Sequence, residues 1–283
     1  MIRALWAKSL QEGKWLLIGS AVLLFCFQWI RVWITSQVNT AGVRKLLQYA
    51  PEFLKGLIPV PLEAIATPAG RIAVGYDDPL VMVVVSIWAI ARGSDMVSGE
   101  IGRGTMELLL AQPVRRIYIV LTHAAVTVLG LFVLAISAWL GTFAGIRTFV
   151  LEEPVQPQIF LPAALNLFSL GFFLAGVTSM LSAMDRYRSR TIGVVIGFFV
   201  IQMIIKLVAV TSPSYHWLRY FSFLTAFEPQ RMAYVFWPES LAIDAPAAWQ
   251  LLFDYNSLLL GIGLLGFALA SAIFCQRDLP APL

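Results

Sequence analysis

Six stretches of this chain are long and apolar enough to lie in lipid: residues 16–34, 80–97, 117–143, 159–184, 191–210 and 251–274. A bilayer core roughly 30 Å thick takes about 20 residues of helix, each rising about 1.5 Å. The pattern predicts an all-α membrane protein with six transmembrane helices. Composition agrees, since 59% of the 283 residues are hydrophobic, only 13% are charged, and the mean hydropathy is +0.79. The poorest window is the second. Its purely apolar part, Leu80 to Ala91, is short, and it becomes a span only by extension through Met96 and Val97, with Arg92 and Asp95 three apart and able to pair at the membrane edge.

Charge placement predicts the topology. With a cytoplasmic amino terminus, the inner segments carry eleven Lys and Arg against six Asp and Glu, and the outer segments seven against ten. The short loops decide it: the loop RYRSR, Arg186 to Arg190, holds three Arg, whereas the loop after the third span holds Arg147 alone. Both termini are expected inside, in a bacterial-type inner membrane. The net charge of +4 reads as a topology signal, not a nucleic-acid patch. The first apolar run lacks a small-x-small cleavage site at Thr35, Ser36 and Gln37 and is expected to be retained. Cys26 and Cys275 fall on opposite sides of this topology.

Between and before the spans, the chain reads as a single membrane domain over 1–283. In residues 1–14, Ile2, Leu5, Trp6 and Leu10 recur at helical spacing among Arg3, Lys8, Gln11 and Glu12, which predicts a helix lying in the inner interface. The long segment 35–79 contains prolines at 51, 59, 61, 68 and 79, so it predicts an ordered outer loop with a short helix over Gln48 to Leu57. Residues 211–248 are strongly aromatic from Tyr215 to Trp237. Such a loop is expected in the outer headgroup layer or folded back into the bundle as short helices, serving as an interfacial belt or an outer gate.

The longest charged interlude is SGEIGRGTMELLLAQPVRR, Ser98 to Arg116, a loop on the inner side between the second and third spans. Thr105 is placed to cap a helix carrying Glu107 in its first turn and Leu108, Leu109 and Leu110 after it, and Pro113 ends it. Glycines 99, 102 and 104 bend the approach. A helix this short is unstable alone and must dock. The turn before it offers its own pairs, Glu100 with Arg103 or Arg115.

This stretch resembles the signature of ABC-2 type transporter permeases, carried here by Asp95, Gly99, Glu100, Gly104, Thr105, Leu109, Leu110, Pro113 and Arg115. It is similar in particular to the permeases whose second span ends in Asp-x-x-x-Gly-Glu, such as that of the nitrous-oxide-reductase maturation system. Val114, and Thr122 with His123, depart from the family's usual residues. The amphipathic start, the aromatic outer segment and the ending CQRDLP, Cys275 to Pro280, extend the likeness over the whole chain. The resemblance implies that the short helix and the amino-terminal helix contact a separate ATP-binding subunit, which would hold ATP and magnesium. It further implies a second permease chain, identical or related, enclosing a path with this one. The residues expected to couple are those of the motif together with Arg103 and Glu107. Glu100 is expected to tie the turn to the amino-terminal helix or to the motor.

No phosphate loop is present in the sequence, since Glu12-Gly13-Lys14-Trp15 lacks its partners, so the motor is expected on another chain. An intramembrane enzyme would need a nucleophile and base or metal ligands within the spans. His123 and His216, the two histidines, fall on opposite sides, and no catalytic or metal residue is assigned. An ion-coupled transporter would show charge near the bilayer centre, but Arg31 and Lys206 lie toward the outer ends. Asn166 and Gln202 are candidates for lining a path, with cross-helix packing as the other reading. An uncharged central slab suits a lipid-like, hydrophobic or polypeptide cargo moved outward. The alternative is a non-transporting scaffold or signalling partner of an ATPase.

Overall fold

The computed structural model describes residues 2–48, 62–112, 115–236 and 245–276, and among them every regular element is helical. The first, α1, runs unbroken from Ile2 to Gln37. The expected interfacial helix over 1–14 is thus the first few turns of the first span, not a separate element. Only Gly13 interrupts the good helix formers there, and its missing side chain admits the indole of Trp88, 3.0 Å from where a Cβ would stand. At about 1.5 Å per residue this helix exceeds a bilayer core of roughly 30 Å, so it also presents side chains beyond the hydrocarbon.

Among the described residues, three short helices follow: α2 (Thr40–Gln48), α3 (Leu62–Ala66) and α4 (Pro68–Val74). Apart from Gln48, which ends α2, the helix expected over Gln48 to Leu57 lies outside the described residues. Thr67 accepts the Gly70 N–H at 3.1 Å and Pro68 opens α4, the usual chemistry of a helix start. Arg71 pins this region by donating to the carbonyls of Ala66 (2.7 Å) and Val38 (3.1 Å). The Glu152 carboxylate accepts hydrogen bonds from the Thr40 side chain and, at 2.9 Å, from its N–H, and these hold its pKa below the usual carboxylate value.

The second span begins at α5 (Pro79–Ser94), where Asp78 accepts the Leu80 N–H at 3.0 Å. It passes through a π-helical turn, Asp95–Gly99, into α6 (Glu100–Gly102), and then comes α7 (Met106–Leu110). The remaining long helices are α8 (Arg116–Thr148), α9 (Leu161–Met184), α10 (Arg188–Thr211) and α12 (Ala245–Gln276). The short α11 (Pro229–Ala233) lies between the last two. Among the described residues, six segments meet the length and hydropathy of a membrane span, each containing one of the six windows read from the sequence.

The centre of the bundle is α9, which packs along α12, α5 and α8. Close backbone approach explains the glycines here. A Cβ on Gly176 would stand 2.1 Å from the Gly263 carbonyl, and one on Gly266 would stand 2.5 Å from Gly176. Helices in lipid associate through such small-residue contacts, since apolar burial gains little there. Trp88, buried at the meeting of α1, α5 and α8, donates its indole N–H to the Thr127 carbonyl at 3.0 Å. By contrast α10 is exposed along most of its length, with 17% of its most apolar window buried.

The aromatic segment divides between the two placements expected for it. Tyr215, Trp217, Tyr220 and Phe221 project outward, whereas Phe223, Leu224, Phe227, Tyr234 and Val235 are buried. Polar groups of the spans hold the returning part. Asn166 accepts the Glu228 N–H (3.1 Å) and donates to the Ala226 carbonyl (3.0 Å) and to Asn256 (3.2 Å). Lys206 donates to the Phe227 carbonyl at 2.9 Å, and Ser222 donates to the Gln202 carbonyl at 3.2 Å.

Candidate functional site

At the end of α5 the helix widens by one residue. Ser94, Ser98 and Ser182 explain how it does so without leaving donors orphaned. The Ser182 hydroxyl, arriving from α9, accepts the N–H of Val97 (3.2 Å) and of Ser98 (3.0 Å), and itself donates to the Ser94 carbonyl at 2.9 Å. A side chain inserted into the ladder in this way is a recognised cause of such a turn. The widening keeps Asp95, Ser98, Gly99 and Glu100 all buried at the lip of the bundle.

Around these residues lies a network of ion pairs. Asp95 takes Arg103 at 2.5 Å, Arg188 at 3.4 Å and Arg92 at 3.7 Å, the last being the i,i+3 pair read from the sequence. Glu100, 3% exposed, receives Lys8 of α1 on both oxygens at 2.8 Å, Arg103 at 3.0 Å, and the Thr105 hydroxyl at 2.5 Å. The contact expected between Glu100 and the amino-terminal helix is present, through Lys8; of the two arginines offered as its partners, Arg103 fills the role. Arg92 reaches α1 as well, donating to the Ser9 hydroxyl (2.6 Å) and carbonyl (3.1 Å), and Arg188 of α10 donates to the Ala91 carbonyl at 3.2 Å. The hydrogen bond to Asp95, with the charges of Asp95 and Glu100, raises the Arg103 pKa above its usual value.

The backbone after Glu100 closes as a Schellman motif. The Thr105 N–H donates to the Glu100 carbonyl (3.1 Å) and the Gly104 N–H to the Ile101 carbonyl (3.0 Å), with Gly104 at φ +69°. Gly104 is the glycine that a left-handed bend requires. Gly99 is needed for another reason: a Cβ there would stand 2.3 Å from an Asp95 carboxylate oxygen. Thr105 therefore ends the preceding turn. The side-chain cap expected of it on α7 is not formed, because its hydroxyl serves Glu100.

On α7, Met106 and Leu109 face the bundle and are buried, while Glu107 is exposed and Leu108 is 68% exposed. Of the leucines in this expected coupling segment, Leu109 turns inward, Leu110 is half-buried and Leu108 points outward. Arg115 is exposed at the start of α8, and Pro113 lies outside the described residues. Sequence reading missed Lys8, Ser182 and Arg188 as members of this site and took Arg92 only as the partner of Asp95; RYRSR was legible only as a topology signal.

Glu12, Asp95 and Glu100 bring carboxylate oxygens within 4.8 Å of one another, a spacing that by distance alone would suit a cation. Charge argues otherwise. Lys8, Arg92, Arg103 and Arg188 already surround the three carboxylates, so the cluster is a compensated ion-pair network. A cavity of about 30 Å³ between Lys8, Glu12, Glu100 and His123 has room for about one water molecule. Asn166 and Gln202 lie at the other end of the bundle. Both are buried, and Asn166 has its amide committed to the returning aromatic segment, so cross-helix packing accounts for its polarity.

No curated protein matches the chain. The family described as ABC-2 family transporter protein matches residues 8–279, nearly the full length. The likeness to one subgroup rests on Asp95, Gly99 and Glu100 alone, but the family does not: with six membrane-spanning helices and this match, the chain belongs to the ABC-2 family of transporter proteins, as a membrane permease.

Proposed function

We propose that this permease serves an ATP-driven exporter whose nucleotide-binding engine is a separate subunit, and that α7 with the ion-pair network behind it receives that subunit. The observation that carries the reading is the construction of the site. A short helix with Glu107 and Leu108 outward sits directly on a network whose members come from α1, α5, α9 and α10. A displacement of α7 is thus delivered to four long helices at once, not absorbed in a loop, and packed elements of this kind move between discrete arrangements. The concentration of Lys and Arg at this end supports a cytoplasmic orientation for it, with both termini inside.

A second permease chain is proposed against α10, the span with the least burial of its own. The cargo follows from the spans only as a class, lipid-like, hydrophobic or polypeptide, because the middle of the bundle offers it no charge.

The test is co-purification of the chain with its ATP-binding subunit from native membranes, for the unaltered protein and for Leu108→Asp and Leu109→Ala. Leu108→Asp is expected to lower recovery of the subunit at least tenfold, corresponding to about 1.4 kcal/mol, while leaving the permease's melting temperature unchanged. Leu109→Ala is expected to lower the melting temperature instead. Full recovery of the ATPase with Leu108→Asp overturns the assignment of α7.

A further inference from the structure

At the end of the bundle opposite the ion-pair network, a cavity of about 390 Å³ opens between the aromatic segment and α12, lined by His216, Arg219, Tyr220, Ser222, Thr225, Ala226, Tyr255 and Leu258. Its volume is within the range of small-molecule sites. Among the described residues, Arg219 is its one permanent charge and no carboxylate belongs to the lining. The guanidinium donates to His216 Nε2 at 2.9 Å, which fixes the imidazole with its proton on Nδ1. Among the described residues no carboxylate pairs with Arg219. Glu228, whose charge acts on Tyr255, is held by Arg231 at 3.0 Å. The hydroxyls of Ser222 and Thr225 are spent on the carbonyls of Gln202 and Arg219, which builds the wall of the cavity and leaves its positive charge uncancelled.

The surroundings say where this charge sits. Tyr215, Trp217, Tyr220 and Phe221 are 52%, 55%, 91% and 66% exposed on the same turn, the residue types that settle at the headgroup level of a bilayer. Leu258, on the membrane-facing side of α12, and Ala226 give the cavity an apolar floor. A guanidinium fork matches a phosphate in geometry as well as charge, and an apolar floor beside it suits the chain that follows a phosphate in a lipid.

We infer that this cavity is a binding site for the phosphate headgroup of an anionic lipid, with Arg219 and His216 as the phosphate ligands and the first methylenes of an acyl chain along Leu258. Occupancy would brace the aromatic segment against α12, at the end of the molecule farthest from the proposed motor contact.

The experiment places the purified protein in nanodiscs of phosphatidylcholine with a minority of phosphatidylglycerol, extracts it into detergent, and measures by mass spectrometry the ratio of the two lipids that stay bound. The unaltered protein is expected to retain phosphatidylglycerol above its share of the bilayer. Arg219→Gln is expected to lower the retained ratio about tenfold, the scale of one charge-assisted contact, and Arg219→Lys to lower it less, since it keeps the charge without the fork. Arg147→Gln, at the same end of the bundle but outside the cavity, serves as the control and is expected to retain it. Equal retention by Arg219→Gln and the unaltered protein overturns the site, and equal loss in Arg147→Gln reduces it to general surface charge. Displacement of the lipid by millimolar inorganic phosphate would assign the cavity to the free anion and overturn the lipid. Lipid retention is read without ATP or cargo, so the outcome is separate from that of the transport proposal.

Discussion

Glu100 shows how much a single carboxylate can organise when it is buried beside partly exposed cations. Its own side chain is 4% exposed, but Lys8 and Arg103 are 35% and 39% exposed. Breaking a fully buried pair costs about 3–5 kcal/mol because the remaining charge is stranded. Here the cations can turn to water, so Glu100→Gln is expected to cost about 1 kcal/mol of stability while releasing α1 from the turn. A double-mutant cycle with Lys8→Gln, read by thermal unfolding of the detergent-solubilised protein, is expected to show a coupling of about 0.5–1 kcal/mol. Strict additivity of the two substitutions would mean that the pair contributes nothing. The residues of this cluster divide by how they are read. Asp95, Gly99, Glu100 and Gly104 stand out in the sequence because charge and glycine are rare in an oily chain. Lys8 and Ser9 do not, because nothing local marks a residue whose partner is some ninety positions away.

At the scale of elements, the π-helical turn Asp95–Gly99 depends on one hydroxyl from another helix. Ser182→Ala removes the acceptor for the N–H groups of Val97 and Ser98 and the donor to the Ser94 carbonyl. Leaving buried backbone groups unmet costs about 1–3 kcal/mol each, so the variant is expected to lose stability or to relax the turn to α geometry. Loss of stability would speed hydrogen exchange at the Val97 and Ser98 amides, whereas relaxation to α geometry would pair them with the carbonyls of Gly93 and Ser94; an unchanged melting temperature together with unchanged protection of both would show that Ser182 is not what holds the turn. This is also where sequence reading of elements fell short. The amino-terminal amphipathic pattern was legible as helix, but its continuity with the first span was not, because the pattern changes from amphipathic to apolar at Gly13, and only the close packing of Trp88 against that glycine shows that the helix runs through it. Thr105 has the chemistry of a helix cap, and competition from a buried carboxylate five residues earlier, visible only in three dimensions, decided its use.

For the whole molecule, the unequal burial of the spans is the informative quantity. Spans α5 and α9 are enclosed by this chain, with 78% and 72% of their apolar windows buried, whereas α10 is left open at 17%. Lipid or a second permease chain must cover that face. A photo-crosslinker placed at Ile204, exposed on α10, is expected to capture a permease chain in native membranes, and the same group at Phe132, exposed on α8, is expected to capture lipid. Capture of a permease at Phe132 and not at Ile204 would move the proposed interface to α8.

The sequence by itself determined the number of spans, their approximate limits, and the segment between the second and third where charge and glycine concentrate, because bilayer thickness and backbone hydrogen bonding act on contiguous residues. The tertiary structure alone decided which leucine of α7 faces outward, that Lys8 and Arg188 complete the ion-pair network, and that the aromatic segment is half belt and half buried return. Those outcomes depend on pairings between residues far apart in the chain, where the local pattern carries no record of the partner.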